Sequence, residues 1–143
     1  MSRGPERVSE MVDQLRRWQQ IERMSIDQMA EIMESTDNAL VRQMAEIIRN
    51  DSVQHHRVQQ FLIDTLTKQA PALSPEELAT IWDKIEQHQK MEKDVVAIAT
   101  NLRATAWSPV HTMILDYLLT DEEKHDKLLD QLSQFKRGMY PYG

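Results

Sequence analysis

The chain contains no cysteine, which excludes disulfides, thiolate zinc sites and cysteine-ligated iron. Glycine and proline are scarce, three and five in 143 residues, and the strand-type alternation of apolar and polar residues is missing. No apolar run approaches the length of a membrane span, and no secretory leader is legible at the N-terminus; the expectation is a cytoplasmic protein with no membrane partner. Basic residues are outnumbered, 17 Lys and Arg against 23 Asp and Glu for a net charge of -6, which argues against nucleic-acid binding by phosphate neutralisation. What remains is rich in Leu, Met, Ile, Gln, Glu and Lys, the composition of an all-α protein. The length, residues 1–143, fits one domain with a real core.

Apolar residues recur at helical spacing in four stretches, about 5–35, 38–69, 75–105 and 109–136. In the first, Val8, Met11, Leu15, Trp18, Ile26, Met29 and Met33 form a stripe interrupted by Glu22. Ser35-Thr36-Asp37-Asn38 is a loop with good capping residues. The second stripe runs through Val41, Met44, Ile48, Val58, Leu62 and Leu66, interrupted by Ser52 and His55. Ser74-Pro75-Glu76-Glu77 has the pattern of a capping box with proline at the first helical position. The third stripe, through Leu78, Ile81, Ile85, Val95, Ala99 and Leu102, is interrupted by His88 and Glu92. The fourth helix starts at Ser108-Pro109 and should stop at Gly138. The tail, Met139-Tyr140-Pro141-Tyr142-Gly143, has no periodicity. Short turns make antiparallel neighbours, so the expected fold is an antiparallel four-helix bundle.

The stretch Asp121-Glu122-Glu123-Lys124-His125 sits within apolar sequence and puts Glu122 and His125 on one helix face. A shift of 70 residues lays Glu22 on Glu92, Asp51 on Asp121, Ser52 on Glu122 and His55 on His125. The interruptions of the apolar stripes are thus among the residues that match, as expected if a helical hairpin is repeated about a pseudo-twofold axis. In each hairpin the acidic residue and its partner segment are about equally far from the turn, so they should face each other. A carboxylate or imidazole on an apolar stripe must be neutralised, paired or bound to a metal.

Glu, then Asp-x-x-x-His, then Glu, then Asp-Glu-x-x-His on four successive helices resembles the ferritin-like superfamily of di-iron and di-manganese carboxylate proteins, especially the small rubrerythrin-like bundles. The resemblance implies metal ligands at Glu22, His55, Glu92, Glu122 and His125, with Glu122 bridging. It implies that Asp51 and Asp121 hold the histidines in their ligating tautomer. It also implies iron, two ions or one, with manganese or zinc as alternatives. The activity would be that of an oxidoreductase acting on O2 or H2O2, or a ferroxidase. Electrons would come from an external donor or from the iron itself, and the protein would be a homo-oligomer, most simply a dimer.

Ser52 departs from the pattern, which has a bridging glutamate there. Three outcomes follow: two metals with one bridge, a single metal, or a vacated site. His88, one turn before Glu92, can supply a further nitrogen ligand. A network of carboxylate–imidazole pairs without metal is the competing arrangement, although converging carboxylates would then repel and some would take up protons. Two other functions are consistent with Ser52: a binding or assembly module without chemistry, and a metal storage or delivery protein without turnover. Trp18, Tyr117 and the methionines read as core packing, and His56 and His111 as exposed or paired residues.

Overall fold

A computed structural model describes residues 4–69 and 71–139, apart from the side chain of Met139. The described residues contain four helices and no strand: α1 (Pro5–Ser35), α2 (Ala39–Thr67), α3 (Pro75–Thr105) and α4 (Pro109–Met139). They fall into two compact units, Met1–Ala72 and Leu73–Gly143, each holding one pair of helices.

The helix ends follow local chemistry. Asn38 Oδ1 accepts from the backbone N–H of Leu40 and Val41, at 3.0 and 3.1 Å, and so caps α2. Arg42 Nη1 donates to the carbonyls of Met33 and Thr36, which are otherwise left over at the end of α1. The Ser74 hydroxyl accepts from Glu77 N–H while the Glu77 carboxylate accepts from Ser74 N–H, the reciprocal box expected at the start of α3. Ser108 contributes its carbonyl, which accepts from the N–H and the hydroxyl of Thr112. Gly138 does not end α4, which continues to Met139; one glycine costs only about 1 kcal/mol in a helix and can be carried near its end. The tail beyond Met139, 140–143, lies outside the described residues.

In the first unit Gln19, Glu22 and Ser25 of α1 meet Gln60, His55 and Ser52 of α2. The partners step back along α2 as they step forward along α1, the register of a helical hairpin. The seam is built from Val12, Gln19 and Glu22 against Ala45, Ser52, Gln59 and Ile63, all buried. Val41, Met44, Ile48, Val58 and Leu62, which periodicity places inward, are exposed instead, and Trp18 is 52% exposed rather than packed in a core. The reason is the size of the seam residues: small and amide side chains at 45, 52 and 59, seven apart, set the contact line. The larger apolar side chains are left on a flank beside it. The methionines divide similarly, with Met11, Met24, Met44, Met91 and Met113 exposed.

In the second unit Leu78, Glu92 and Ala99 are the buried residues of α3. On α4, Leu115, Leu119, Leu129 and Leu132 are half-buried. Arg103 pairs with Asp116 near the turn, Glu92 meets His125 at the middle, and the Lys136 ammonium lies 4.2 Å from the centre of the Trp82 ring near the far end. The helix bounds themselves repeat: α3 begins and ends 70 residues after α1, and α4 begins 70 residues after α2.

Candidate metal centre

Glu92 takes a seam position, fourteen residues after buried Leu78 and seven before buried Ala99. Helical spacing therefore turns a carboxylate toward α4 where an apolar side chain would ordinarily sit. Its side chain is only 8% exposed. One carboxylate oxygen, Oε1, lies 2.7 Å from His88 Nε2, one turn earlier, and 3.4 Å from His125 Nδ1 on α4. The other, Oε2, is buried and has no hydrogen-bond partner. Leaving such an acceptor unmade costs about 1–3 kcal/mol, and more where the group carries charge.

Glu122 lies one turn before His125, and its Oε2 is 3.8 Å from His125 Nδ1. Glu92, Glu122 and His125 can each offer one ligand atom such that all three lie within 4.8 Å of one another. Atoms bound at about 2.0–2.2 Å to one ion stand about 3–4 Å apart, so modest rotation of side chains would close the set. Two carboxylate oxygens and one imidazole nitrogen suit iron, manganese or zinc. The donor set and the orphaned Glu92 oxygen therefore fit a metal ion. Beside them is a cavity of about 260 Å³ lined by Glu92, Lys93, Val96, Glu122, Glu123 and Asp126.

The first unit repeats the ion pair but not the cluster. Glu22 Oε1 lies 3.4 Å from His55 Nδ1, the same atoms at the same distance as in Glu92–His125. Gln59 Nε2 approaches Glu22 Oε1 at 3.5 Å, while the Gln59 carbonyl oxygen is buried without a partner. Where the second unit has Glu122, Ser52 donates its hydroxyl to Ser25 at 3.0 Å. No three-residue group capable of holding a metal occurs among the described residues of the first unit.

Each sequence-predicted site residue thus has a place. Glu92, Glu122 and His125 come together, and Glu22 meets His55 as a pair. His88 lies against the Glu92 carboxylate, outside the three-residue group. Asp121 is committed to Lys124 at 2.8 Å, whose ammonium, followed by the Tyr117 hydroxyl, holds the carboxyl below the usual range. Asp51 makes no hydrogen bond or ion pair with a described residue. The rings of His55, His88 and His125 are about half exposed, although all three lie on expected inward stripes; the carboxylates they meet, Glu22 and Glu92, are the buried partners. His56 is paired, accepting from Arg23 Nε at 3.2 Å. Sequence reasoning passed over Gln59 and Ser25. Gln59 was detectable as the continuation of the seven-residue spacing from Ala45 and Ser52, whereas nothing local marks Ser25 as the partner of Ser52.

No family model, curated protein or solved structure matches the chain.

Proposed function

We propose that this chain is a metal-binding protein of ferritin-like kind, in class an antiparallel four-helix bundle. Glu92, Glu122 and His125 would hold its divalent transition-metal ion. The observation that carries the proposal is the buried Glu92 carboxylate, grouped with a second carboxylate and an imidazole and with one oxygen, Oε2, left without a hydrogen-bond partner. A cation removes both costs at once, the orphaned acceptor and the approach of two carboxylates. The common 70-residue offset of the helix bounds and of the Glu–His pairs supports the repeated-hairpin part of the proposal.

Bound iron would supply one-electron and oxygen chemistry, the basis for an oxidase, peroxidase or ferroxidase of rubrerythrin type. The protein's own residues have separable tasks. His88 holds Glu92 Oε1 at 2.7 Å, and the Glu92 carboxylate would supply a ligand oxygen from α3. Glu122 and His125 supply the opposing donors from α4, and the adjoining cavity gives O2 or H2O2 room to approach. Electrons would come from an external donor or, in ferroxidase action, from the iron itself, because the sequence has no cysteine for a thiolate-ligated relay. Ser52, bonded to Ser25 where a second bridging glutamate would be needed, favours one metal per chain over two.

The same serine favours a second reading, in which the bundle has lost its chemistry and serves as a binding or assembly module. Tag-free protein, loaded with ferrous iron or manganese and desalted, distinguishes the two. About one metal per chain is expected, falling at least tenfold in Glu122→Ala. Oxygen consumption on adding ferrous iron should fall with it. Metal retention without oxygen consumption would assign storage or delivery. Less than about 0.3 metal per chain in the unsubstituted protein would leave the assembly module as the better account.

A further inference from the structure

The first hairpin carries another feature, away from Glu22 and His55. Between α1 and α2 lies a cavity of about 280 Å³ lined by Arg16, Gln19, Gln20, Arg23, Gln60 and Ile63. Its rim is made of hydrogen-bonding side chains, and Ile63 supplies a buried apolar floor. Neither Arg16 nor Arg23 forms an ion pair with a described carboxylate. In a chain with net charge -6, two unpaired guanidiniums at one cavity concentrate positive charge where the overall balance would not suggest it.

The neighbouring side chains are held in place. Gln19 Nε2 donates to the His56 carbonyl and to Gln60 Oε1, at 3.3 and 3.0 Å. Gln60 Nε2 donates in turn to Asp64 at 2.9 Å. Asp64 accepts from that amide and pairs with Lys68 at 3.4 Å, and it forms no ion pair with either arginine. Arg23 Nε donates to His56 Nε2, which orients the guanidinium and leaves its terminal N–H groups free. Counted by side chain, unused donors on Arg16, Arg23, Gln20 and Gln60 exceed the acceptors left on Gln19 and Gln20. A surplus of donors, with Arg23 and Gln60 held by their hydrogen bonds, matches an acceptor-rich anion.

The position is also open. At about 100° per residue, Arg16 and Arg23 lie about 140° around α1 from Met11 and Trp18. Those two residues line an apolar groove on the other flank of the same hairpin. A partner that covers the apolar flank leaves the arginine flank accessible. Seven residues apart, the two arginine Cα atoms are separated by about 10 Å along the helix, a gap that two long side chains can close over a tetrahedral ion.

We propose that this cavity binds a small phosphate oxoanion, either inorganic phosphate or the phosphoryl group of a small phosphorylated metabolite. Arg16 and Arg23 clamp the oxygens and Gln20 and Gln60 complete the donor set. The volume accommodates a phosphoryl group with a short polar body, and is below the range of drug-sized pockets, about 300–1,000 Å³. The proposal does not rest on the metal centre.

The test uses the full chain stripped of metal by a chelator, so that phosphate cannot report on a bound cation. Inorganic phosphate and glycerol 3-phosphate are titrated calorimetrically against chloride at matched ionic strength. Saturable binding is expected, weakened at least tenfold in Arg16→Gln/Arg23→Gln. It should change less than twofold in Arg7→Gln/Arg17→Gln, which removes the same charge from the same helix outside the cavity. Tighter binding of the monoester assigns the cavity to a phosphorylated metabolite; equal or tighter binding of phosphate assigns it to the free ion. Arg16→Lys/Arg23→Lys guards against misfolding of the glutamine variant: it keeps the charge, loses the forked geometry, and should still bind several-fold more weakly. No saturable binding of either probe up to about 10 mM would overturn the proposal. So would equal weakening in the two charge-matched double variants.

Discussion

Glu92 gathers the main tension in the second hairpin into one side chain. It is buried, one of its oxygens is shared by two imidazoles, and the other has no partner. Glu92→Gln should therefore leave the metal-free protein as stable as before or slightly more so, because an amide is cheaper to bury than a carboxylate. It should also abolish stabilisation by metal. At free manganese or iron about 100-fold above its dissociation constant, the unsubstituted protein should gain about 2.7 kcal/mol. Urea unfolding with and without metal checks both halves; an equal gain in the variant would contradict the assignment. The carboxylates of this site were legible in the sequence because they interrupt an apolar stripe. The exposure of the histidine rings was not, because a three- or four-residue spacing fixes a face of the helix without fixing how deep the side chain lies.

The four helices were legible almost to their ends, because the determinants are local: proline at the first turn of α1 and α3, Asn38 over α2, and the Ser74–Glu77 box. The packing seam was not. Periodicity finds the centre of an apolar stripe, whereas the contact line of the first hairpin runs along its edge through Ala45, Ser52 and Gln59. In the second hairpin Arg103 and Asp116 tie the two helices together near the turn. The Arg103 hydrogen bond, then its charge, holds the Asp116 carboxyl below the usual range. A depressed carboxyl contributes stability that is present above the ordinary aspartate range, near pH 4, and lost as pH falls through the lower folded value. Asp116→Asn should accordingly lower the urea midpoint slightly near pH 7, slightly because the pair is solvent-screened, and converge on the unsubstituted protein toward pH 2, so that the acid limb is flatter between about pH 5 and pH 2. An unchanged acid limb would show that the pair contributes nothing to folding.

Each hairpin, taken by itself, carries large apolar side chains outside its seam, Trp18 and Phe61 in the first and Met91, Ile98 and Leu128 in the second. In the first, Met11, Leu15, Trp18, Leu62 and Leu66 gather along one groove of about 270 Å³. Grouped apolar exposure of this kind marks surfaces that associate. The expected state is a homodimer, seen by sedimentation velocity as twice the chain mass and shifted toward monomer by Trp18→Glu. A monomer at all concentrations would contradict it. The 70-residue offset was legible in the sequence as sparse identities and is carried in the structure by helix bounds and by the Glu22–His55 and Glu92–His125 pairs. Among the Glu and His positions of the site the halves differ at Ser52 against Glu122 and at Trp18 against His88, and the metal proposal depends on the first. The most direct test is anomalous diffraction from crystals grown with manganese or ferrous iron, recorded on both sides of the metal's absorption edge. The account predicts a peak bounded by Glu92, Glu122 and His125; fully loaded crystals with no peak there, or with a peak only elsewhere, would contradict it.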